Sequence, residues 1–348
     1  MSKRVLVAMS GGVDSSVAAA IAVDAGYEVS GVTLKLYDAP ISRSSSGGCC
    51  SASDTDDARR VARQLGIDHH VFNFSERFAA DVMDAYVQAH AEGRTPNPCI
   101  ECNRHVKFAA LADRARRLGF DLLVTGHHAR VAELDGHLGL LRGLDATKDQ
   151  SYVLSMLDQG GLSRLWLPVG EMTKDQVRAR ASELGLATAG KPDSLDTCFV
   201  TAAGGREQFL ASRIRTTPAR VVTTSGEEVG SVPAAELVTV GQRRGMPQVG
   251  NAQRRYAISV DLSRGEVIVG SESDLTVTST TVENLSFLWR RPGPEELLQA
   301  QMSAHGRPIP ARLQADTVVA LEPHRRVAPG QTVALYRNEE VIGSGVAV

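Results

Sequence analysis

The chain has few cysteines, no lysine after Lys191, no long apolar run and almost no net charge, and most of these shortages exclude something. No stretch approaches the roughly 20 apolar residues of a membrane helix. Met1-Ser2-Lys3-Arg4 leads straight into Val5-Leu6-Val7, so no secretory leader is expected, and a cytoplasmic location is. A net charge of −2 argues against a globally basic nucleic-acid binder. It leaves room for local basic patches, which a specific RNA enzyme needs. Five cysteines, at 49, 50, 99, 102 and 198, are an odd number. In a reducing compartment they read as chemistry or metal ligation rather than as a disulfide framework. Two common nucleotide motifs are missing as well. No Gly-Lys-Ser/Thr follows the first glycine turn, which disfavours a Walker-type ATPase, and no Gly-x-Gly-x-x-Gly supports dinucleotide binding.

What is present is an ordinary globular composition, 43% hydrophobic and 22% charged over 348 residues, long enough for more than one domain. The first 130 residues or so alternate strand and helix. Val5-Leu6-Val7, Val29 to Leu36, Val71 to Phe74 and Leu122 to Gly126 read as strands. Helices are expected from Ser15-Ser16 to Ala25-Gly26, from a capping box at Ser53-Asp54-Thr55-Asp56 to Leu65, from Glu76 to Ala91 and from Lys107 to Leu118. Such alternation predicts a parallel sheet with helices on both faces and a ligand beyond the carboxyl ends of the strands. The loops at 10–16, 34–51, 95–105 and 126–128 all leave that edge. Asp135-Gly136 marks a hairpin, and Thr173 caps a helix from Lys174 to Leu184.

After about residue 206 the texture changes to short Val/Thr-rich runs between Gly, Pro and Glu-Glu turns, with arginine as the remaining strong base. These runs include Ala219 to Thr224, Ala257 to Val260, Glu266 to Gly270, Leu313 to Leu321 and Thr332 to Tyr336. They predict small β domains. The division expected is 1–206, 207–274 and 275–348: an α/β parallel-sheet domain, a small central β-rich domain and a C-terminal β-barrel-like domain.

Two stretches carry chemistry. Ala8-Met9-Ser10-Gly11-Gly12-Val13-Asp14-Ser15-Ser16 joins the first strand to the first helix. Its glycines allow close backbone approach, and the helix start offers N–H groups and a positive dipole end to an anion such as pyrophosphate. Ser-Gly-Gly-x-Asp-Ser resembles the PP-loop of ATP pyrophosphatases, which cleave ATP between its α and β phosphates and use the AMP to activate a substrate oxygen. The second stretch is Thr95-Pro96-Asn97-Pro98-Cys99-Ile100-Glu101-Cys102-Asn103, whose two prolines place it outside regular structure. Cys99 and Cys102, with Cys49 and Cys50, are candidate ligands for zinc or an iron–sulfur cluster, although adjacent cysteines rarely both ligate one ion. Cys198 follows Asp193 and Asp196 in a polar loop. With a second loop cysteine it forms a candidate thiol pair, one carrying sulfur and the other resolving it.

Several motifs in order extend the likeness along nearly the whole chain. Ser-Gly-Gly-Val-Asp-Ser at 10–15, Gly93 to Pro98, Cys102-Asn103, Lys107-Phe108 and Thr125-Gly126-His127 resemble the bacterial tRNA-specific 2-thiouridylases. So do Leu141-Arg142-Gly143, Lys148 to Tyr152, Cys198-Phe199, Gly241 to Gly245 and Pro329-Gly330-Gln331. The resemblance implies a three-domain enzyme that replaces the C2 oxygen of the wobble uridine by sulfur in tRNAs for Lys, Glu and Gln. It implies ATP, with Mg²⁺, at Ala8 to Ser15 with Leu34 and Gly126 flanking the nucleotide, and no resident metal site. Cys198 would receive persulfide sulfur from a relay protein or cysteine desulfurase, and Cys102 would resolve it. Asn97, Pro98 and Cys99 would meet the target base, and His127, Lys148, Asp149 and Gln150 the tRNA. Two departures stand out. Cys99 occupies a place where the family commonly has aspartate. The family's Arg-Tyr contact to tRNA falls at Ala304-His305, with Arg307 and Arg312 nearby. Other readings are a PP-loop ligase of the amidotransferase or argininosuccinate type, a cluster-dependent thiolase, and a non-catalytic RNA-binding module.

Overall fold

The first strand, β1 (Arg4–Ala8), is the middle of a five-stranded parallel sheet, and its Val5, Leu6 and Val7 are fully buried. The computed structural model describes residues 2–37, 52–193, 197–247 and 254–348; Cys49 and Cys50 lie outside them. The chain divides into two compact units. One comprises Met1–Val82, Pro98–Arg206 and Glu339–Val341, the other Met83–Asn97, Glu207–Asn338 and Ile342–Val348.

In the first unit the sheet is completed by β2 (Glu28–Lys35), β3 (Asp68–Asn73), β4 (Leu122–Thr125) and, after the hairpin described next, β7 (Leu165–Trp166), in the order β3-β2-β1-β4-β7. The hairpin joins β5 (Ala129–Leu134) to β6 (His137–Arg142) through Asp135 and Gly136, both at positive φ, as a type I′ turn requires. Burial on both faces explains why β1 reads as a continuous apolar run. Helix α1 (Val13–Asp24) is apolar almost all round, and its Val17, Ala18, Ala19 and Ala22 pack in one core with Ala58, Val61 and Ala62 of α2 (Ala52–Leu65). Small side chains allow that close approach. Helix α2 begins one residue ahead of the expected capping box.

Two further helical stretches matter. Residues 75–91 are helical as expected, with a π-helical turn at Ala79–Asp84; we call them α3. Residues 98–117, α4, run from Pro98–Glu101 through a π-helical Cys102–Leu111 into Ala112–Arg117. The stretch expected to lie outside regular structure therefore enters a helix at Pro98, well before Lys107. A proline in the first helical position loses nothing, because that N–H has no intrahelical partner anyway. Helix α5 (Lys174–Glu183) starts with a full capping box. Thr173 Oγ1 accepts from Gln176 N at 3.3 Å, and Gln176 Oε1 accepts from Thr173 N at 2.8 Å. Helix α6 (Cys198–Ala202) is one turn long.

The second unit is β-rich. A four-stranded sheet has the order β10 (Tyr256–Asp261), β11 (Glu266–Gly270), β8 (Ala219–Thr223), β9 (Glu228–Val232). A closed barrel follows, built from β12 (Thr276–Phe287), β13 (Leu298–Gln301), β14 (Ile309–Gln314), β15 (Thr317–Arg325), β16 (Thr332–Arg337) and β17 (Glu340–Ala347). It closes where β12 pairs with β17, Val282 opposite Ala347. Leu313 to Leu321, read from sequence as one run, is the hairpin β14–β15, broken by Ala315 at positive φ. Closure removes exposed sheet edges.

The capping box that starts α5 is testable. Thr173→Ala should lower stability by about 1 kcal/mol, read from urea denaturation. An unchanged midpoint would show that the cap contributes nothing.

Candidate active site

Two of the four loops expected at the sheet's carboxyl edge, 10–16 and 126–128, meet at the glycine turn after β1. Gly11 has φ of 74°, and a Cβ there would collide with the Asp54 carbonyl on α2. Ser15 folds back over the turn: its Oγ accepts from Ser10 N at 3.1 Å and donates to Gly12 O at 3.1 Å. Val13 opens α1 and is buried. Gly126, just after β4, lies so close that a Cβ would sit 2.6 Å from Ser15 N. The turn is thus a rigid cradle of backbone, closed on one side by α2 and on the other by the β4 loop.

A second anchor comes through the sheet. Met9 N donates to Val32 O at 2.8 Å, and Met9 O accepts from Thr33 Oγ1 at 2.7 Å. Leu34 lies nearly buried in the same strand. Thr33 Oγ1 also lies 2.9 Å from His69 Nε2. The threonine has one hydroxyl hydrogen and gives it to Met9, so His69 Nε2 must carry the donating hydrogen. His69 Nδ1 is buried without a hydrogen-bond partner among the described residues. Protonating it would bury an unsatisfied charge. Burial first, then Arg59 and His70, hold the His69 pKa down at about 4.

Charge organises the other side. Asp14, in the first turn of α1, takes Lys174 Nζ on both carboxylate oxygens at 2.7 Å and His128 Nε2 at 3.1 Å. Burial opposes ionisation of Asp14, but these hydrogen bonds outweigh it and lower its pKa. Because the carboxylate only accepts, His128 Nε2 carries the hydrogen. Lys174 also reaches Asp193 at 2.9 Å, and Asp193 holds Lys148 at 2.8 Å and Arg178 at 2.7 Å. Burial again works against the Asp193 charge, and the bonds from Lys148 and Lys174 override it, pushing its pKa well below the carboxylate range. Lys148 in turn is held protonated, chiefly by its bond to Asp193. Two residues before Asp193, Lys191 donates to Gly11 O at 2.9 Å, Asp54 at 2.6 Å and Asp57 at 2.7 Å. Its burial is outweighed by those carboxylates, so its pKa is raised. Residues 191–193 are therefore tied to the glycine turn directly by Lys191 and indirectly by Asp193 through Lys174, and Asp193 lies five residues before Cys198.

The remaining candidates are distributed. Cys99 and Cys102, both half-buried, sit three apart in the first turns of α4, a spacing that puts them on one helical face. Pro98 is buried, and Asn103 Nδ2 anchors this helix to Val153 O at 3.0 Å. Cys198, also half-buried, opens α6 after Thr197 at φ of 48°, and Phe199 packs edge-on against Phe78 at 5.7 Å. His127 Nδ1 lies 2.8 Å from Thr125 Oγ1, and its ring lies 5.8 Å from Phe108. Gln150 Oε1 accepts from His128 N at 2.9 Å. Asp149 is turned inward, accepting from Arg142 at 2.8 Å and from Gly143 N and Ser151 N at 3.0 Å each. Its geometry is that of a loop brace. Asn97, Ala304 and His305 belong to the second unit, the last two in a turn after β13 where Ala304 O accepts from Gln301 at 3.1 Å. Among the described residues, no group of three or more His, Cys, Asp or Glu side chains is arranged to hold a metal ion.

Sequence reading missed His128, Lys174, Lys191, Asp193 and His69 as site residues. The disappearance of lysine after Lys191 was a usable signal, because the last two lysines of the chain both serve the turn.

The parallel sheet and its first glycine turn define a PP-loop domain of the HUP type, followed by β-rich domains. Residues 3–202 match the family model described as a tRNA methyl transferase HUP domain, and 277–347 match an aminomethyltransferase beta-barrel domain. Relatives named tRNA-specific 2-thiouridylase MnmA are similar along almost their whole length. The protein from Mycobacteroides abscessus is 46% identical, over 99% of each chain. That from Acidothermus cellulolyticus is 45% identical, over 98% of this chain and 96% of its own. That from Chloroflexus aurantiacus is 43% identical, over 98% and 97%. The chain belongs to the tRNA-specific 2-thiouridylase family.

The His69 geometry predicts a pH dependence. A histidine kept neutral by the fold stabilises it fully above about pH 6.5 and loses that contribution as pH falls towards about 4. Between about pH 7 and about pH 5 the wild type should lose about 1 kcal/mol more stability than His69→Gln, by urea denaturation. Parallel losses in the two proteins would contradict the assignment.

Proposed function

We propose that this protein is an ATP-dependent tRNA-uridine 2-sulfurtransferase, acting in the cytoplasm on the wobble uridine of tRNAs for Lys, Glu and Gln. The observation that carries the reading is the turn at Ser10 to Ser15, braced from Asp54, Gly126 and Lys191 and joined through Asp14 to Lys174, in a chain that shares 46% identity with a named 2-thiouridylase. Together with the family membership, the cysteines at 102 and 198 favour sulfur transfer over a PP-loop ligase, which has no use for a thiol pair. We keep the three-domain division at 206 and 274 as part of the same proposal.

The chemistry required is replacement of an amide-like oxygen, a poor leaving group. In our scheme the uridine O2 attacks the α-phosphorus of ATP, the bond to the β-phosphate breaks, and pyrophosphate leaves. Backbone N–H groups of Gly11 to Asp14 and the ammonium groups of Lys174 and Lys148 offset the charge that grows on it. Asp14, whose two oxygens accept from Lys174 and His128, would hold Mg²⁺ through water rather than directly, and the ion would supply further neutralisation of phosphate charge. The terminal sulfur of a Cys198 persulfide then attacks C2 and AMP departs with the oxygen. Cys102 thiolate attacks the Cys198 sulfur, the S–S bond to the transferred atom breaks, and 2-thiouridine is released with a Cys102–Cys198 disulfide for an external dithiol to reduce. In a variant order, Cys102 first frees sulfide from the persulfide. Asn97 to Cys99 receive the target base, which must leave its stack to be reached. His127, Lys148, Gln150 and the Ala304-His305 turn supply further contacts to tRNA. The persulfide comes from a relay protein or a cysteine desulfurase.

With Cys49 and Cys50 outside the described residues, the cluster-dependent alternative is decided by analysis of iron and zinc in protein purified without oxygen. The main test is mass spectrometry of tRNA nucleosides after incubation with ATP, Mg²⁺ and a persulfide donor. The wild type should form 2-thiouridine, and Cys102→Ala and Cys198→Ala should each form none, while Cys198→Ala still releases pyrophosphate. Full thiolation by either variant would defeat the scheme.

A further inference from the structure

Two motifs of the sequence, Gly93-Arg94-Thr95-Pro96-Asn97-Pro98 and Pro329-Gly330-Gln331, are far apart in the chain and neither is explained by the ATP turn. Inside the second unit they are bonded to each other. Helix α3 ends in a Schellman motif. Gly93, at φ of 75°, donates to His90 O at 3.0 Å and Arg94 N donates to Ala89 O at 2.8 Å. That turn delivers Arg94 and Thr95 to the barrel. Thr95 N donates to Pro329 O at 2.7 Å, and Thr95 O accepts from the Gln331 side-chain amide. Both backbone groups of Thr95 are thus satisfied by one turn, an unusual degree of control over a single loop residue. Arg94 forms an ion pair with Glu283 of β12.

The turn is itself fixed. Gly330 N donates to Ala347 O and Ala347 N to Gln331 O, each at 2.8 Å, so the turn is sewn to β17. Strand β17 closes the barrel on β12, with Val346 opposite Glu283. Barrel closure therefore places the partner of Arg94 beside the partner of Thr95. Gly330 fits because any Cβ would stand 3.0 Å from Thr95 N. Beyond Thr95 the chain has little freedom. Pro96 and Pro98 fix their own φ, and Thr95 and Asn97, each before a proline, are confined to extended backbone. The direction set at Thr95 is carried to Asn97 by a stiff tether.

We propose that Gln331, with Glu283 and the Pro329-Gly330 turn, is a positioning element for the segment that receives the target base, beginning at Asn97. These residues act through Thr95 and Arg94 and need not touch RNA. The inference rests on the reading of Asn97 to Cys99 as the base-binding segment.

The experiment compares steady-state tRNA thiolation with ATP binding in full-length variants. Gln331→Ala and Glu283→Arg should each reduce kcat/KM for tRNA by about tenfold, with ATP affinity unchanged. The exchanged pair Arg94→Glu/Glu283→Arg should recover most of the Glu283→Arg loss, which a merely destabilised barrel would not do. Gln331→Met, close in shape but without a donor, replaces Gln331→Ala should the latter fail to fold. Wild-type thiolation kinetics in folded Gln331 variants would overturn the proposal, as would an exchanged pair no better than Glu283→Arg. A wild-type protein that thiolates no tRNA would instead overturn the functional reading, which keeps the two failures apart.

Discussion

The ammonium group of Lys174, shared between Asp14 and Asp193, is the interaction around which the first unit's site is arranged. It is nine-tenths buried, with a side-chain exposure of 9%. A charge so placed is tolerable only if its partners are held in place, and removing one would leave the others uncompensated. Asp14 is fixed by the start of α1, Lys174 by the capping box of α5, and Asp193 by three cations at once. Through these groups the glycine turn, the helix after β7 and the approach to Cys198 become one electrostatic unit. Lys191 repeats the arrangement on the α2 side.

This network also bears on what the turn can do with a polyphosphate. Lys174 and Lys148 are cations already oriented, Lys174 by Asp14 and Asp193 and Lys148 by Asp193. Positive charge arranged in advance, rather than recruited, is what stabilises a leaving pyrophosphate most effectively. The neutral His69, acting through Thr33 on the Met9 carbonyl, contributes geometry rather than charge. Its influence is confined to how firmly the backbone of the turn is held.

Much of the fold was legible in the sequence because the first unit follows simple periodicity. The apolar run at Val5 to Val7, the alanine-rich α1 and the Asp135-Gly136 hairpin each carry a local signal that the tertiary structure leaves intact. The glycine turn was legible for the same reason. Less legible was α4, where Pro98 reads locally as a breaker and acts as a first helical residue. Leu313 to Leu321 was misread because Ala315, not a glycine or asparagine, takes the positive φ of the turn. The charge network was hidden for a different reason. Asp14, Lys174 and Asp193 are brought together by sheet topology, and no local pattern records that a lysine after a capping threonine faces a carboxylate 160 positions earlier.

The account stands or falls on the fate of one oxygen. If the turn activates the uridine through its own O2, that atom must leave with AMP. We therefore point to tRNA carrying oxygen-18 at O2 of the target uridine, incubated with the protein, ATP, Mg²⁺ and a persulfide donor. The account predicts that AMP acquires the label in step with the appearance of 2-thiouridine. Label retained in the thiolated tRNA, or released to water with none in AMP, would contradict it.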